Sequence, residues 1–264
     1  MLCVISPAKK LDETPHALPE GHAITDPAFA TDALRLARTA AKLSVADLQE
    51  LMGISEALAR LNHARFAAFS KDPTAGTVFP AAYCFAGDTY QGLDAKSLPA
   101  AATAWAEGHL RILSGLYGLL RPFDAIQAYR LEMGSRLATP KGPDLYAYWG
   151  DRVAKALNTL GAEAGSDTLV NCASIEYFTV AQRKALKLRV VTPVFLEERE
   201  GSAKIVSFWA KKARGAMARF ICENQLTRVD DLRRFDLGGY AFRPDLTEGG
   251  RLVFSRPEPA QKAA

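Results

Sequence analysis

Three carboxylate side chains, Asp88, Glu132 and Glu176, lie inside apolar or glycine-rich stretches of this 264-residue chain. An ionised carboxylate that is buried without partners costs several kcal/mol, so each should lie near a cation or near hydrogen-bond donors. Carboxylates in such surroundings serve as general acids, general bases or ion ligands. The cations that could balance them, or could hold an anionic substrate, are Lys9, Arg111, Arg130 and Lys211.

The places of these residues along the chain indicate a shared site. Ser6 and Lys9 follow one apolar run, and Ser174 and Glu176 follow another. Because α/β proteins place ligand sites at the carboxyl ends of strands, we predict a convergent pocket for a nucleotide or another small anionic substrate. Its candidate catalytic residues are Lys9, Asp88, Glu132 and Glu176. The alternative interpretation is a buried network of ion pairs that fixes the fold.

The excess positive charge lies in one segment. Residues 202–221 include Lys204, Lys211, Lys212, Arg214 and Arg219 and no acidic side chain, whereas the whole chain has 33 basic and 29 acidic residues. A helix over 208–225 would place an apolar stripe on one side and four of these cations on the other. A glycine at 215 would let an anion approach the backbone within the basic face. The pattern favours a phosphate-binding face, and the alternative is a solvated basic face.

A second candidate for phosphate contact is the Gly53-Ile54-Ser55 sequence between two predicted helices. This is the layout of a helix-hairpin-helix, whose backbone N–H groups hold a DNA phosphate without reading the base sequence. Arg60 and Arg65 would extend the contact. The usual hairpin has a second glycine where this chain has Ser55.

Other site classes have no signal in the sequence. No pattern matches a Walker A loop, a dinucleotide-binding loop, a nucleophile elbow or a His-Glu-x-x-His zinc motif, so no cofactor is predicted. The four cysteines and four histidines lack metal-ligand spacing, which predicts free thiols and no metal site. No apolar run reaches the ~20 residues of a membrane span and no signal peptide is evident, so we expect a cytoplasmic protein without a membrane partner.

Strand and helix patterns are mixed without regular alternation, which predicts an α/β fold with an irregular α+β arrangement. We expect a single domain over residues 1–257, with the helix-hairpin-helix at about 44–69, and a disordered tail at 258–264. Strands are predicted at 2–6, 81–85, 168–172, 189–196 and 205–208, with a final hairpin of 240–243 and 251–255. Helices are predicted at 31–42, 44–52, 55–69, 98–120 with an interruption near 114–118, 145–160, 179–188 and 208–225.

Eight segments of the chain together resemble one family. They are ISPAK at 5–9, FAGDTY at 85–90, LRILSGLYG at 110–118, LRP at 120–122, YRLEMG at 129–134, YWG at 148–150, NCASIEY at 171–177 and AKKARG at 210–215. In this order, from residue 1 to about residue 255, the sequence is similar to the YaaA peroxide-stress proteins, also called the UPF0246 or DUF328 family.

The resemblance implies a cytoplasmic bacterial protein that limits damage by hydrogen peroxide by keeping intracellular free iron low. It also implies a mixed α/β domain with a positively charged cleft and a helix-hairpin-helix that binds duplex and branched DNA. It implies no catalytic residues.

Our leading hypothesis is a stress protein that binds DNA without sequence specificity. The predicted contacts are Gly53, Ile54, Ser55, Arg60, Arg65, Lys211, Lys212, Arg214 and Arg219. The alternative is an enzyme that acts on a small anionic substrate held around Lys9, Asp88, Glu132 and Lys211. A third hypothesis is direct iron sequestration by the carboxylates.

Overall fold

The computed structural model describes residues 1–74, 76–199 and 202–257, and the tail predicted at 258–264 lies outside the described residues. The strands are β1 (Leu2–Ile5), β2 (Lys10–Leu11), β3 (Val78–Pro80), β4 (Phe85–Ala86), β5 (Leu110–Ser114), β6 (Gly118–Leu120), β7 (Ala125–Gln127), β8 (Thr168–Asn171), β9 (Arg189–Arg199), β10 (Ser202–Lys204), β11 (Ala241–Phe242) and β12 (Arg251–Pro257).

Helices lie between many of these strands along the chain. They are α1 (Ala30–Ala40), α2 (Val45–Met52), α3 (Glu56–Ala68), α4 (Ala81–Cys84), α5 (Asp88–Leu93), α6 (Ala100–His109), α7 (Leu145–Trp149), α8 (Arg152–Glu163), α9 (Ile175–Phe178) and α10 (Ser207–Glu223). Short 3₁₀ helices occur at Ala95–Ser97, Val229–Arg234, Leu237–Gly239 and Pro244–Leu246.

The central sheet has the strand order β11-β12-β9-β8-β1-β5-β6, and β10 pairs with β9 outside this path. The pairs β12-β9, β9-β8, β8-β1 and β1-β5 are parallel, whereas β11, β6 and β10 join antiparallel. Strands β1, β5 and β8 are buried along their whole length. Parallel strands that are covered on both faces have continuous apolar runs, as β1 does. The mixed α/β class predicted from the sequence is confirmed.

The helix predicted over 98–120 is wrong for the second half of that stretch, which is the largest difference between predicted and observed elements. Helix α6 occupies only its first part, and the rest forms β5 and β6. Because β5, with the sequence Leu-Arg-Ile-Leu-Ser, is buried along its whole length, its side chains show no strict two-residue alternation, and so short a segment does not distinguish a strand from the end of a buried helix. The same ambiguity affects 81–85, where the predicted strand is mostly the short helix α4.

Two further predictions on either side of β9 are wrong. Residues 179–188 form turns, and Asn158 holds them through hydrogen bonds to the Ala185 carbonyl and the Lys187 amide, so their backbone groups have partners without a helix. Residues 205–208 are not a strand, because β10 ends at Lys204 and α10 begins at Ser207.

Helix α10 lies against α5 at very short range. A Cβ atom placed on Gly215 would come within 1.8 Å of the Thr89 carbonyl oxygen, and one on Gly92 would come within 2.0 Å of the Lys212 carbonyl oxygen. Each helix therefore presents a glycine to the backbone of the other. Gly215 is a packing residue, and the prediction that it opens the basic face to an anion is wrong.

Candidate functional site

Strands β1, β5 and β8 are parallel and end at the same edge of the sheet, where Ser6 and Ser174 meet. The Ser174 amide donates a hydrogen bond to Ser6 Oγ at 2.9 Å, and the two hydroxyl oxygens lie 3.4 Å apart. Ser174 is also the N-cap of α9, where its Oγ accepts from the Tyr177 amide. The Tyr90 hydroxyl donates to the Ser6 carbonyl at 3.1 Å. The segments that directly follow β1 and β8 are thus linked by hydrogen bonds.

Glu132 is held at this edge by two cations. Its Oε1 atom lies 3.2 Å from Lys9 Nζ and 3.0 Å from Arg130 Nη2. The Glu132 side chain is 12% exposed and that of Lys9 is 66% exposed, so the carboxylate is inside while the ammonium group faces water. Glu132 Oε2 is buried and has no hydrogen-bond partner among the described residues. The predicted cation partners Lys9 and Arg130 are therefore confirmed as neighbours of Glu132.

Glu176 is held by one backbone donor and one tyrosine hydroxyl, and no ion pair joins it to a cation among the described residues. Its Oε1 accepts a hydrogen bond from the Gly134 amide at 3.0 Å, and its carbonyl accepts one from the Tyr146 hydroxyl at 2.9 Å. A Cβ atom on residue 134 would come within 3.3 Å of the same carboxylate oxygen. Gly134 thus ties α9 to the loop that carries Glu132. Sequence reasoning missed this contact, and its only signal was a glycine two residues after a candidate carboxylate.

We name these residues the carboxyl-edge cluster, which consists of Ser6, Lys9, Arg130, Glu132, Ser174 and Glu176. The cluster combines two cations, two carboxylates and two hydroxyl groups at one edge of the sheet. Such a set can bind an anionic group through Lys9 and Arg130 and can supply a carboxylate as acid or base.

Two other residues expected here have different surroundings. Asp88 is the half-buried first residue of α5, and within residues 1–74, 76–199 and 202–257 no hydrogen bond or ion pair joins its side chain to the cluster. The Arg111 guanidinium binds backbone carbonyl oxygens. Its Nη1 donates to the Glu107 and Leu110 carbonyl oxygens at 2.8 and 2.7 Å. Burial lowers the pKa of the Arg111 guanidinium to about 10.

The four cations of α10 divide into exposed and engaged side chains. Lys211 and Lys212 are exposed, and neither forms an ion pair in the part of the chain that the structure describes. Arg219 instead donates to the carbonyl oxygens of Leu93, Asp94 and Ser97 and pairs with Glu223 at 2.8 Å. It therefore fastens the end of α5.

Arg214 differs both from the exposed lysines and from Arg219, which binds the end of α5. Its side chain is half-buried, and burial lowers the pKa of its guanidinium while an electrostatic interaction with Cys172 acts in the opposite direction. Cys172 directly follows β8 and precedes Ser174 by two residues. Arg214 therefore lies near the segment that follows β8.

The two helices predicted to form a helix-hairpin-helix are present as α2 and α3. Gly53 ends α2 in the left-handed conformation, with φ of 60°, and Ser55 Oγ caps α3 by accepting from the Leu58 amide. Ile54 is buried. Arg60 pairs with Glu56, its Nε lying 3.0 Å from Oε1, and Arg65 pairs with Glu13. Both arginine charges thus have partners within the protein, and DNA contact at this hairpin stays a prediction.

Comparison with known proteins identifies the family. Residues 1–246 match the family model described as peroxide stress protein YaaA. The chain belongs to the YaaA peroxide stress protein family. Its relatives include a UPF0246 protein of Ruegeria pomeroyi, 58% identical over 257 residues that cover 97% of this chain and 99% of the relative. A UPF0246 protein of Jannaschia sp. is 57% identical over 264 residues, the full length of both chains.

No helix in the described ranges is both long and apolar enough to cross a bilayer. The same residues contain no group of three or more His, Cys, Asp and Glu side chains placed to hold a metal ion. The four cysteines are free and buried, and the prediction of free thiols is confirmed.

Proposed function

We propose that this member of the family acts in peroxide stress by binding a small phosphate- or carboxylate-bearing molecule at the carboxyl-edge cluster and acting on it. The observation that carries the proposal is the approach of Lys9 and Arg130 to a single oxygen of Glu132, beside the joined ends of β1 and β8. The Lys9 ammonium is exposed, so an incoming anion can reach it. In this proposal, Lys9 and Arg130 hold the anion, and Glu132 or Glu176 transfers a proton.

Replacement of Glu132 by glutamine tests whether its carboxylate is functional or structural. Glu132→Gln keeps the shape of the side chain and an oxygen that faces both cations. If Glu132 is functional, a deletion strain that carries this variant should lose peroxide survival while the melting temperature of the purified protein stays nearly unchanged or rises. A destabilised variant that still protects cells would show that the ion pairs only fix the fold.

Direct binding gives a second measurement. Adenosine monophosphate, used as a probe, should raise the melting temperature of the wild-type protein by mass action. Lys9→Met should abolish this rise. The matched control is Lys42→Met, which removes an exposed lysine charge outside the cluster. Equal responses of the two variants would contradict a site at Lys9.

A second candidate function, non-specific DNA binding, is favoured by the exposed and unpaired state of Lys211 and Lys212 within the described residues. Reversing both charges should weaken the binding of unrelated duplexes equally. It should also flatten the dependence of log affinity on log salt by about one unit for each lost phosphate contact. Unchanged affinity in the folded double variant would remove α10 from the DNA-binding surface.

We further propose that the protein acts in the cytoplasm and helps to keep free iron low, which is supported by its membership of the YaaA family. Chelatable iron, measured by electron paramagnetic resonance after a peroxide challenge, should be higher in the deletion strain than in the complemented strain. If Glu132→Gln restores normal iron, the iron effect does not depend on the carboxyl-edge cluster.

A further inference from the structure

A small cavity lies between α5, α10 and the end of β12, and no residue of the carboxyl-edge cluster lines it. Its volume is about 210 Å³. Gln91, Trp209, Lys212, Leu237, Tyr240 and Arg256 contribute side chains to its lining. Pockets for drug-sized ligands span roughly 300–1,000 Å³, so this one fits a molecule built on a single ring.

One wall of the cavity is a fixed guanidinium group. The Arg256 guanidinium carbon lies 4.7 Å from the centroid of the Trp209 ring and 4.5 Å from that of Tyr240. Arg256 Nε donates to Glu197 Oε2 at 2.8 Å, and Nη1 donates to the Gly238 carbonyl at 2.7 Å. Glu197 is buried and also accepts from the Tyr240 hydroxyl. The wall is therefore rigid, and its charge is balanced by Glu197.

The remaining polar groups of the lining are mainly donors. The Lys212 ammonium has no ion-pair partner, and the Trp209 indole N–H has no acceptor, among residues 1–74, 76–199 and 202–257. No Asp or Glu of the described residues lines the cavity. Arg256 Nη2 is buried without a hydrogen-bond partner there, and an unsatisfied buried donor is unfavourable. The cavity thus has an excess of positive charge and of donors.

Apolar surface accompanies these donors. Leu237 is 37% exposed, and the Trp209 ring is half-buried. A flat ring can therefore be covered by an aromatic and an aliphatic wall while a negative group on its edge meets Lys212.

We propose that this cavity, the Trp209 cavity, binds a small aromatic carboxylate. The ring packs against Trp209 and Leu237, and the carboxylate pairs with Lys212 and accepts from the Trp209 indole N–H. This site is separate from the carboxyl-edge cluster and does not depend on the function proposed for it.

The test uses benzoate as the probe and benzyl alcohol as its neutral counterpart. Because the chain has three tryptophans, the indole N–H resonances can be followed separately in a proton–nitrogen correlation spectrum. Benzoate should shift the Trp209 resonance with a Kd on the order of 1 mM, a reasonable affinity for so few atoms. The Trp105 and Trp149 resonances should not move, and benzyl alcohol should bind more weakly.

Two adjacent lysines provide the matched variants. Lys212→Gln should weaken benzoate binding about fivefold, the scale of one exposed ion pair. Lys211→Gln removes the same charge one residue away, outside the lining, and should leave the benzoate affinity within about twofold. Equal weakening by both variants would show general attraction to a cationic surface. An unmoved Trp209 resonance at about ten times the expected Kd would overturn the proposal.

Discussion

Helix α10 and the carboxyl-edge cluster both concentrate charged side chains, but the charges have different partners. On α10, Arg219 binds carbonyl oxygens at the end of α5, and Gly215 packs against the α5 backbone. In the cluster, two cations from different segments meet one carboxylate at a sheet edge. The comparison teaches that a basic helical face can be partly devoted to packing, whereas cations that gather at one buried carboxylate beside the strand ends, one of them exposed to water, are stronger evidence of a site.

The largest expected effect tests the packing role of α10. Gly215→Ala should lower the free energy of unfolding by about 3 kcal/mol or more, because the added methyl group would overlap the Thr89 carbonyl. The control is Gly108→Ala in α6, where a Cβ atom meets nothing within 4 Å and stability should rise by about 0.5–1 kcal/mol. Chemical denaturation measures both, and a fully stable Gly215→Ala protein would refute the close helix contact.

A smaller effect separates the engaged cation of α10 from an exposed one. Arg219→Met removes the guanidinium donors from the carbonyl oxygens of Leu93, Asp94 and Ser97 and should cost about 2 kcal/mol of stability. Lys211→Met should change stability by no more than about 0.5 kcal/mol. If the two variants are equally stable in urea titrations, Arg219 is not a structural cation, and its place in the DNA-binding surface would have to be considered again.

The smallest effect concerns an ion pair outside both regions and depends on pH. Burial alone would raise the pKa of Asp32, but the Tyr148 hydroxyl and the Arg152 guanidinium, each 2.7 Å from Oδ1, hold that pKa below its usual value. A lowered carboxylate pKa stabilises the fold at neutral pH, and this contribution is lost as the pH falls through the folded-state value.

Asp32→Asn should therefore cost about 1 kcal/mol at pH 7. The difference between variant and wild type should shrink as the pH is lowered from about 5 to about 2. Melting curves across this range measure it. A difference that stays constant with pH would show that the charge of Asp32 contributes nothing.

Local signals predicted much of the fold. The helices predicted at 44–52 and 55–69 are present as α2 and α3, and the Ser44 capping box, the left-handed Gly53 and the Ser55 cap that bound them depend on neighbouring residues only. Helix α10 also matches its periodicity. The missed strand β5 depends instead on a distant segment, since it pairs with β1 near the start of the chain as well as with the neighbouring β6.

In the candidate site, too, the sequence predicted some contacts and missed others. Charge balance was enough to expect cations beside Glu132, and Lys9 and Arg130 are there. It failed for Arg111, whose guanidinium is satisfied by nearby carbonyl oxygens. The contact of Glu176 with the Gly134 amide had no side-chain signal, because backbone donors are present at almost every residue. The positively charged cleft and the DNA contacts stay predictions.

The position of β1 in the sheet has a consequence for biosynthesis. Strand β1 pairs with β5 on one side and with β8 on the other, and β8 leaves the ribosome roughly 170 residues after β1. At about 5–20 residues per second, that interval is on the order of ten to thirty seconds. Until then the Leu2–Ile5 strand, buried along its whole length in the finished protein, can pair only with β5 and lacks its partner on the other side. The nascent chain should therefore be a client of ribosome-associated chaperones until residues 168–171 emerge.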